Sequence, residues 1–439
     1  MTQPAEPGPL RRLHPLSPLL RGWKFIIAAL LVIVPQNADR LRRSADEPLS
    51  LALAVLAVVA VGVIYGLLSW RFTHYGVAGG DLRVDSGVLF RRSRHVRLDR
   101  LQAVEVVQPL LGRALGLAEL RLEVVGGAKT EAPLAYLSLD DARRLRAELL
   151  ARAAGIAEDT PEAPERVLHE VPAERLLWSS LLSTPVLVGV LLVPVALAVA
   201  ALTAGIGAAL VLVPALVSVG TPLIQQLVAN YGFTLAESPD GLRVRRGLLE
   251  TRSQTVPPGR IQAARLAEPW LWRRFTDWVA VQVDIAGYAG ESATASAVLL
   301  PVGPRPLALD LLRRVLPDAD VSGVPLTGVP PRARWLAPLS RRVLAAGADR
   351  RHFVARRGVL RRETDVVPHE RAQSVRLSQG PLQRWLRLAT VTVDTTPGPV
   401  TVRAEHRDAV EAAAMVRAEA ILARAARAAA PPQRWMRRV

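Results

Sequence analysis

From Leu176 to Ala236 the chain carries no Asp, Glu, Lys or Arg, 61 residues in succession. Crossing a ~30 Å hydrocarbon core takes roughly 20 apolar residues, and one helix of the whole stretch would run to about 90 Å. The pattern therefore predicts two spans, near 176–198 and 207–229, turning at the small residues Ala200–Gly207. A second uncharged run, Leu49–Trp70, and a shorter one of 14 residues between Lys24 and Asp39 predict an earlier hairpin with spans near 49–70 and 23–38. Trp23, Trp70, Trp178 and Tyr231 fall at the ends of these runs, where amphipathic rings favour the membrane interface.

Outside the apolar runs the period changes to two. Leu82-Arg-Val-Asp, Val96-Arg-Leu-Asp, Leu120-Arg-Leu-Glu-Val, Leu242-Arg-Val-Arg and Val391-Thr-Val-Asp alternate apolar and polar, the signature of strands with one buried face. These strands belong to a threefold internal repeat. Gly87-Val-Leu, Gly247-Leu-Leu and Gly358-Val-Leu are each followed thirteen residues on by Arg100, Arg260 and Arg371. Gln102, Gln262 and Gln373 stand two further, and Arg113, Arg273 and Arg384 eleven beyond those. Each copy closes on a helical pattern, at Leu139–Ala151, Leu307–Leu316 and Arg407–Ala428. A half-buried antiparallel sheet followed by one amphipathic helix predicts a small barrel capped by a helix.

These readings divide the chain as follows. Residues 1–22 form an N-terminal tail, 23–70 hairpin 1, 71–155 the first repeat domain and 156–175 a linker. Residues 176–230 form hairpin 2, 231–320 the second repeat domain, 321–338 a Pro-rich linker, 339–429 the third repeat domain and 430–439 a basic tail. The fold class is a multidomain α+β membrane protein. No span precedes the third copy, because Trp335–Ala346 is short and broken by Arg341 and Arg342.

Charge refines the placement. The net charge is +17, and the basic residues flank the apolar runs: Arg11, Arg12, Arg21 and Lys24 before the first, Arg166 and Arg175 before the third, Arg243, Arg245 and Arg246 after the fourth. The positive-inside rule then puts both termini and the repeat domains in the cytosol, although Arg40, Arg42 and Arg43 in the loop between the first two spans run against it. There is no Cys, which excludes disulfides and thiolate metal sites.

Two apolar hairpins, each leading into a strand opened by Tyr75-Gly76-Val77 or Tyr231-Gly232-Phe233 and then by G-[VL]-L and R-x-Q, resemble the bacterial pleckstrin-homology (PH) type-2 membrane proteins of the YdbT-like family. The resemblance spans about Trp23 to Ala428. It implies three PH-like antiparallel β-barrels, a cell-membrane location and no established chemistry. It also implies a role in envelope stress or antimicrobial-peptide resistance and a smaller PH-like membrane protein as companion.

No catalytic constellation stands out. His369-Glu370 begins a zinc-protease pattern, but Gln373 occupies the second ligand position, and no nucleotide loop or nucleophile elbow occurs. No enzymatic activity, cofactor or metal is expected. The expectation is a non-catalytic scaffold or binding platform whose partners are anionic lipid headgroups. The alternatives are a transporter or peptide-export component, disfavoured by spans without ionisable residues, and nucleic-acid binding driven by the net charge, which is not expected. Candidate contact residues are Arg100, Arg113, Arg260, Gln262, Arg371, Gln373 and Arg384, together with the Arg–aromatic clusters Trp270, Trp272 and Arg273 and Trp385. Guanidinium forks suit phosphate or carboxylate, and aromatic rings suit the headgroup boundary. The competing reading is that the repeated Arg and Gln serve the fold.

Overall fold

The computed structural model describes residues 11–15, 17, 56, 59–60, 62–64, 67–68 and 70–430, except 79–80, 88–90, 99–100, 125–133, 155–164, 203–205, 239–240, 257–258, 287–297, 317–318, 320, 322 and 397. The span at 23–38, most of that at 49–70, Arg100 and nearly all of the basic tail lie outside the described residues. The chain divides into two compact units, residues 1–162 with 250–252, and residues 163–249 with 253–439.

The first unit holds the first repeat. β1 (Arg11–Arg12), β2 (His74–Ala78), β3 (Asp81–Ser86) and β4 (Arg92–Arg97) form one antiparallel sheet in that order. Gly87, after β3, has φ +120°, a conformation that side chains with a Cβ avoid. β5 (Leu101–Pro109) leads through α1 (Leu110–Ala114) to β6 (Leu117–Val124) and β7 (Leu134–Ser138), and then to α2 (Leu139–Ala154). Strand alternation buries Leu82, Val84 and Val96 of the first sheet and Val104, Val106, Leu120 and Leu122 of the second set, with Leu145 and Leu149 of α2.

The second unit begins with β8 (Arg166–Glu170), α3 (Ala173–Leu181), α4 (Thr184–Leu202) and α5 (Ile206–Asn230). The chain then returns as β9 (Thr234–Ser238), β10 (Gly241–Arg246) and β11 (Glu250–Val256). β8 pairs antiparallel with β9, Arg166 opposite Glu237 and Glu170 opposite Thr234, so the apolar helices are inserted between two adjacent strands. Segment 156–175, expected to be a linker, therefore contains the first strand of the second repeat. The third repeat repeats the arrangement in miniature. There β15 (Thr327–Gly328) pairs with β16 (Ala345–Ala348), and a 3-10 turn, Pro331–Trp335, stands in the place of the helices. The Pro-rich segment 321–338 thus also holds a strand, too short to show a period.

α4 and α5 are long and apolar enough to cross a membrane. They pack closely, since a Cβ at Gly189 would collide with Val219. Their other faces are exposed apolar surface, including Val190, Leu191, Leu202 and Leu210, the kind of contiguous apolar patch that marks a membrane or protein contact. The C-terminal end of α5 is capped by the Gly247-Leu248 turn. The Leu248 N–H donates to the Val228 carbonyl (2.9 Å), the Gly247 N–H to that of Tyr231 (2.8 Å), and Arg246 Nη1 to Asn230 Oδ1 (2.9 Å). These donors and a cation meet the orphan carbonyls and negative pole of a helix end.

β12 (Ile261–Pro269), α6 (Trp270–Phe275), β13 (Trp278–Ile285), β14 (Val298–Pro304) and α7 (Arg305–Val315) complete the second repeat. The third continues through β17 (His352–Arg357), β18 (Arg361–Pro368), β19 (Ser374–Ser378), α8 (Pro381–Trp385), β20 (Leu388–Asp394), β21 (Val402–Asp408) and α9 (Ala409–Ala429). Closed barrels, as expected from the repeats, are not seen among the described strands. β12 of the second repeat pairs along its length with β18 of the third, giving one seven-stranded sheet ordered β14-β13-β12-β18-β17-β16-β15. β19, β20 and β21 make a separate three-stranded sheet. Between them lies a core of Phe353, Ala355, Val367, Val391, Val393 and Val402, closed by Ala412, Met415 and Ala423 of α9. Among the described strands no sheet closes on itself. Hydrogen bonding to the next repeat satisfies the strand edge that barrel closure would otherwise have to cover.

Candidate anionic-group site at the junction of the second and third repeats

Register builds this site. β12 and β18 run antiparallel with Ala264 opposite Val366, Arg265 opposite Asp365, Glu268 opposite Arg362 and Pro269 opposite Arg361. Arg265 meets Asp365 through two hydrogen bonds (2.6 and 3.1 Å) and donates a third to the Pro399 carbonyl (3.2 Å). Asp284 on β13 accepts the Val400 N–H (3.0 Å). Burial pushes the Asp284 carboxyl up to about 7, against the opposing pull of that hydrogen bond and of Arg265. An isolated buried charge is costly, and this cluster meets the cost by pairing Arg265 and letting Asp284 hold its proton.

At the end of β12, Pro269 turns the chain into α6. The Trp270 N–H donates to the Leu360 carbonyl (2.6 Å), and Arg273 Nη2 to that of Val359 (2.8 Å), so α6 grips the Gly358-Val359-Leu360 turn of the next repeat. Beside this contact opens a cavity of about 490 Å³ walled by Trp270 and Trp278 and by four arginines, Arg273, Arg274, Arg305 and Arg362. Its acidic members are Glu268 and Asp277. Arg305 pairs with Glu268, and Arg362 Nη1 stands 4.0 Å from the same carboxylate. Positive charge remains in excess. Burial, and then the charge of Arg362, hold the Arg273 guanidinium below its usual range. The Nε–H groups of Arg273 and Arg362 are buried without a hydrogen-bond acceptor among the described residues.

The aromatic cluster divides by residue. Trp272 is 2% exposed, donates its indole N–H to the Ser179 carbonyl of α3 (3.0 Å) and stands edge-on to Trp278 at 6.1 Å. It fastens the second repeat to α3. Trp270 and Phe275 are exposed, and the Arg274 guanidinium lies 5.6 Å from the Phe275 ring.

The repeated Arg and Gln have different surroundings where they are described. Gln262 is buried and donates to the Arg260 carbonyl (3.3 Å). Burial, and then the charge of Arg371, lower Arg260, so equivalents from two repeats sense one another. Arg371 lies 3.2 Å from Glu370. Gln373 is exposed, and its backbone N–H donates to the Asp394 carbonyl (2.8 Å). Arg113 is exposed and donates to Thr251 Oγ1 (3.4 Å). Arg384 and Trp385 are exposed on α8. Sequence reading missed Arg305, Arg362 and Glu268 at the cavity and the whole Arg265–Asp365–Asp284 cluster. The mixed-charge run Arg361-Arg362-Glu363-Thr364-Asp365 was a signal, but its meaning depended on which strand lay opposite.

The Bacterial PH domain family matches residues 26–153, 186–319 and 324–427. The chain is 22% identical over 350 residues to the UPF0699 transmembrane protein YdbT of Bacillus subtilis (strain 168), covering 70% of this chain and 69% of the relative. No solved structure matches it. Three family matches covering most of the sequence, one on each repeat, and a relative described as transmembrane place the chain among membrane proteins that belong to the bacterial PH domain family.

Proposed function

We propose that this protein is a non-catalytic, membrane-anchored binding platform whose Arg–Trp cavity at the second-to-third repeat junction takes a phosphate-bearing lipid headgroup. The observation that carries the reading is the cavity itself, with four arginines, two tryptophans and two buried guanidinium N–H groups lacking acceptors. Guanidinium groups present fixed forks to phosphate, and each basic residue near an anionic membrane surface contributes about 1 kcal/mol. In this reading α4 and α5 cross the membrane as a hairpin, an earlier hairpin precedes the first repeat, and both termini and all three repeats face the cytosol. Arg166, Arg175, Arg243, Arg245 and Arg246 support that orientation through the positive-inside rule. A place in envelope stress or antimicrobial-peptide resistance fits a platform that senses the charge of its own membrane.

The test titrates glycerol 3-phosphate into the detergent-solubilised full-length protein and follows tryptophan fluorescence. A saturable response is expected, lost in the double variant Arg273→Gln/Arg362→Gln and kept in Arg94→Gln. Absence of saturation, or an equal response in the double variant, defeats the reading. Nanodiscs with neutral or anionic lipid then separate a headgroup from free phosphate, because only the headgroup reading expects protection of the cavity residues to follow lipid charge.

A further inference from the structure

β12 and β19 occupy the same place in the repeat frame, at Arg260-x-Gln262 and Arg371-x-Gln373. β12 is hydrogen-bonded on both sides, to β13 and to β18, and every residue in it is buried. Among the described strands β19 pairs on one side only, with β20, and all of it but Val375 is exposed. The helix that follows shows the same contrast. α6 holds the Gly358-Val359-Leu360 turn of the next repeat, whereas α8 holds no such turn among the described residues and presents Leu382 (62% exposed) and Trp385 (79% exposed), with Leu377 of β19 exposed as well. An unpaired edge next to exposed apolar side chains is a template for strand addition.

The internal junction indicates what would fill it. We infer that the β19–α8 edge docks the β-hairpin of a PH-type repeat on another polypeptide, in the register β18 uses on β12, with a carboxylate opposite Arg376. Arg376 is the repeat equivalent of Arg265. Where β18 is present, Arg265 clamps Asp365; where no such strand lies alongside, Arg376 turns to Asp394 of its own repeat (2.6 and 2.8 Å). The partner strand therefore carries Asp or Glu seven residues after the glycine of its G-[VL]-L turn, as Asp365 follows Gly358. A second copy of this chain fits poorly. Of β4, β11 and β18, the strands that follow the G-[VL]-L turn, only β4 ends a sheet among the described strands, and the same register sets Arg94 opposite Arg376. Like charges directly opposed across strands are destabilising, so the edge is charged against its own kind.

The experiment uses the full-length protein in detergent and, as probe, a fluorescent peptide of residues 351–369 closed into a hairpin by an added terminal disulfide. Closure keeps the hairpin formed, as isolated hairpins are marginal in water. Anisotropy is expected to saturate with a Kd of about 10–100 μM, and amide exchange across 374–378 is expected to slow. Asp365→Arg in the peptide should weaken binding by about tenfold or more, equivalent to about 1.4 kcal/mol, and Arg376→Asp in the protein should restore it. No saturation by about 1 mM, at least tenfold weaker than the predicted range, or equal binding of the two peptides overturns the inference. So does protection of 374–378 that is already present in the protein alone and disappears on dilution, since the occupant would then be a second copy.

Discussion

β12 and β19 are repeat-equivalent strands with opposite surroundings. Both lie at an R-x-Q landmark, both pair with the next strand of their own repeat, and both run into a one-turn helix bearing tryptophan and arginine. One is buried throughout and the other lies open. The difference comes from the neighbour, since β12 has the first half of another repeat beside it and β19 ends its sheet. A side chain that repeats at fixed spacing can thus be a buried clamp in one copy and a surface pair in the next.

The contrast can be broken most sharply at its charged centre. Asp365→Ala leaves Arg265 buried without its main partner and should destabilise the detergent-solubilised protein by about 3–5 kcal/mol, read as a fall in melting temperature. The equivalent surface change, Arg376→Ala, should leave the melting temperature unmoved; a comparable fall would mean that β19 is covered after all. Trp272→Phe removes the indole donor to Ser179 while keeping an aromatic ring, and should cost about 1–3 kcal/mol through the carbonyl left unsatisfied. Trp385→Phe should stay within about 0.5 kcal/mol.

Asp284 sharpens the comparison through pH. Its folded pKa of about 7 exceeds the ordinary 3.8, so the neutral form favours folding. Its contribution is full below pH about 4 and is lost as pH rises through about 7. Asp284→Asn keeps an acceptor for the Val400 N–H, and should raise the melting temperature at pH 8, leave it nearly unchanged at pH 4 and flatten the slope between. A variant that melts with the wild-type pH profile would assign that slope to other groups. The smallest effect is expected at Gln373, whose side chain is exposed. Gln373→Ala should not register in the melt, whereas Gln262→Ala at the buried equivalent should destabilise the protein by about 1 kcal/mol, read as a lower melting temperature.

The uncharged run from Leu176 and the threefold frame of glycine, arginine and glutamine made the membrane-protein class, the strand-rich repeats and the capping helices legible before any coordinates. Composition and local period carry those features, because an apolar stretch has to leave water and alternation has to put one face inside. Strands β8 and β15 escaped notice because they are short and their partners lie across an insertion. The candidate site was half legible. Trp270 and Arg273 stood out as an aromatic–basic cluster, but Arg305 and Arg362 joined them only through pairing between repeats.

By itself the sequence determined that the chain enters a membrane and that one module is written three times. Only the tertiary structure decided that the modules share sheets, that Trp272 is a fastening while Trp385 is surface, and that β19 of the third repeat ends its sheet among the described strands. Pairing between strands of different repeats depends on long-range register, and identical local patterns satisfy it equally well within a repeat or between two. The choice rests on which edges find partners, and no local period records that.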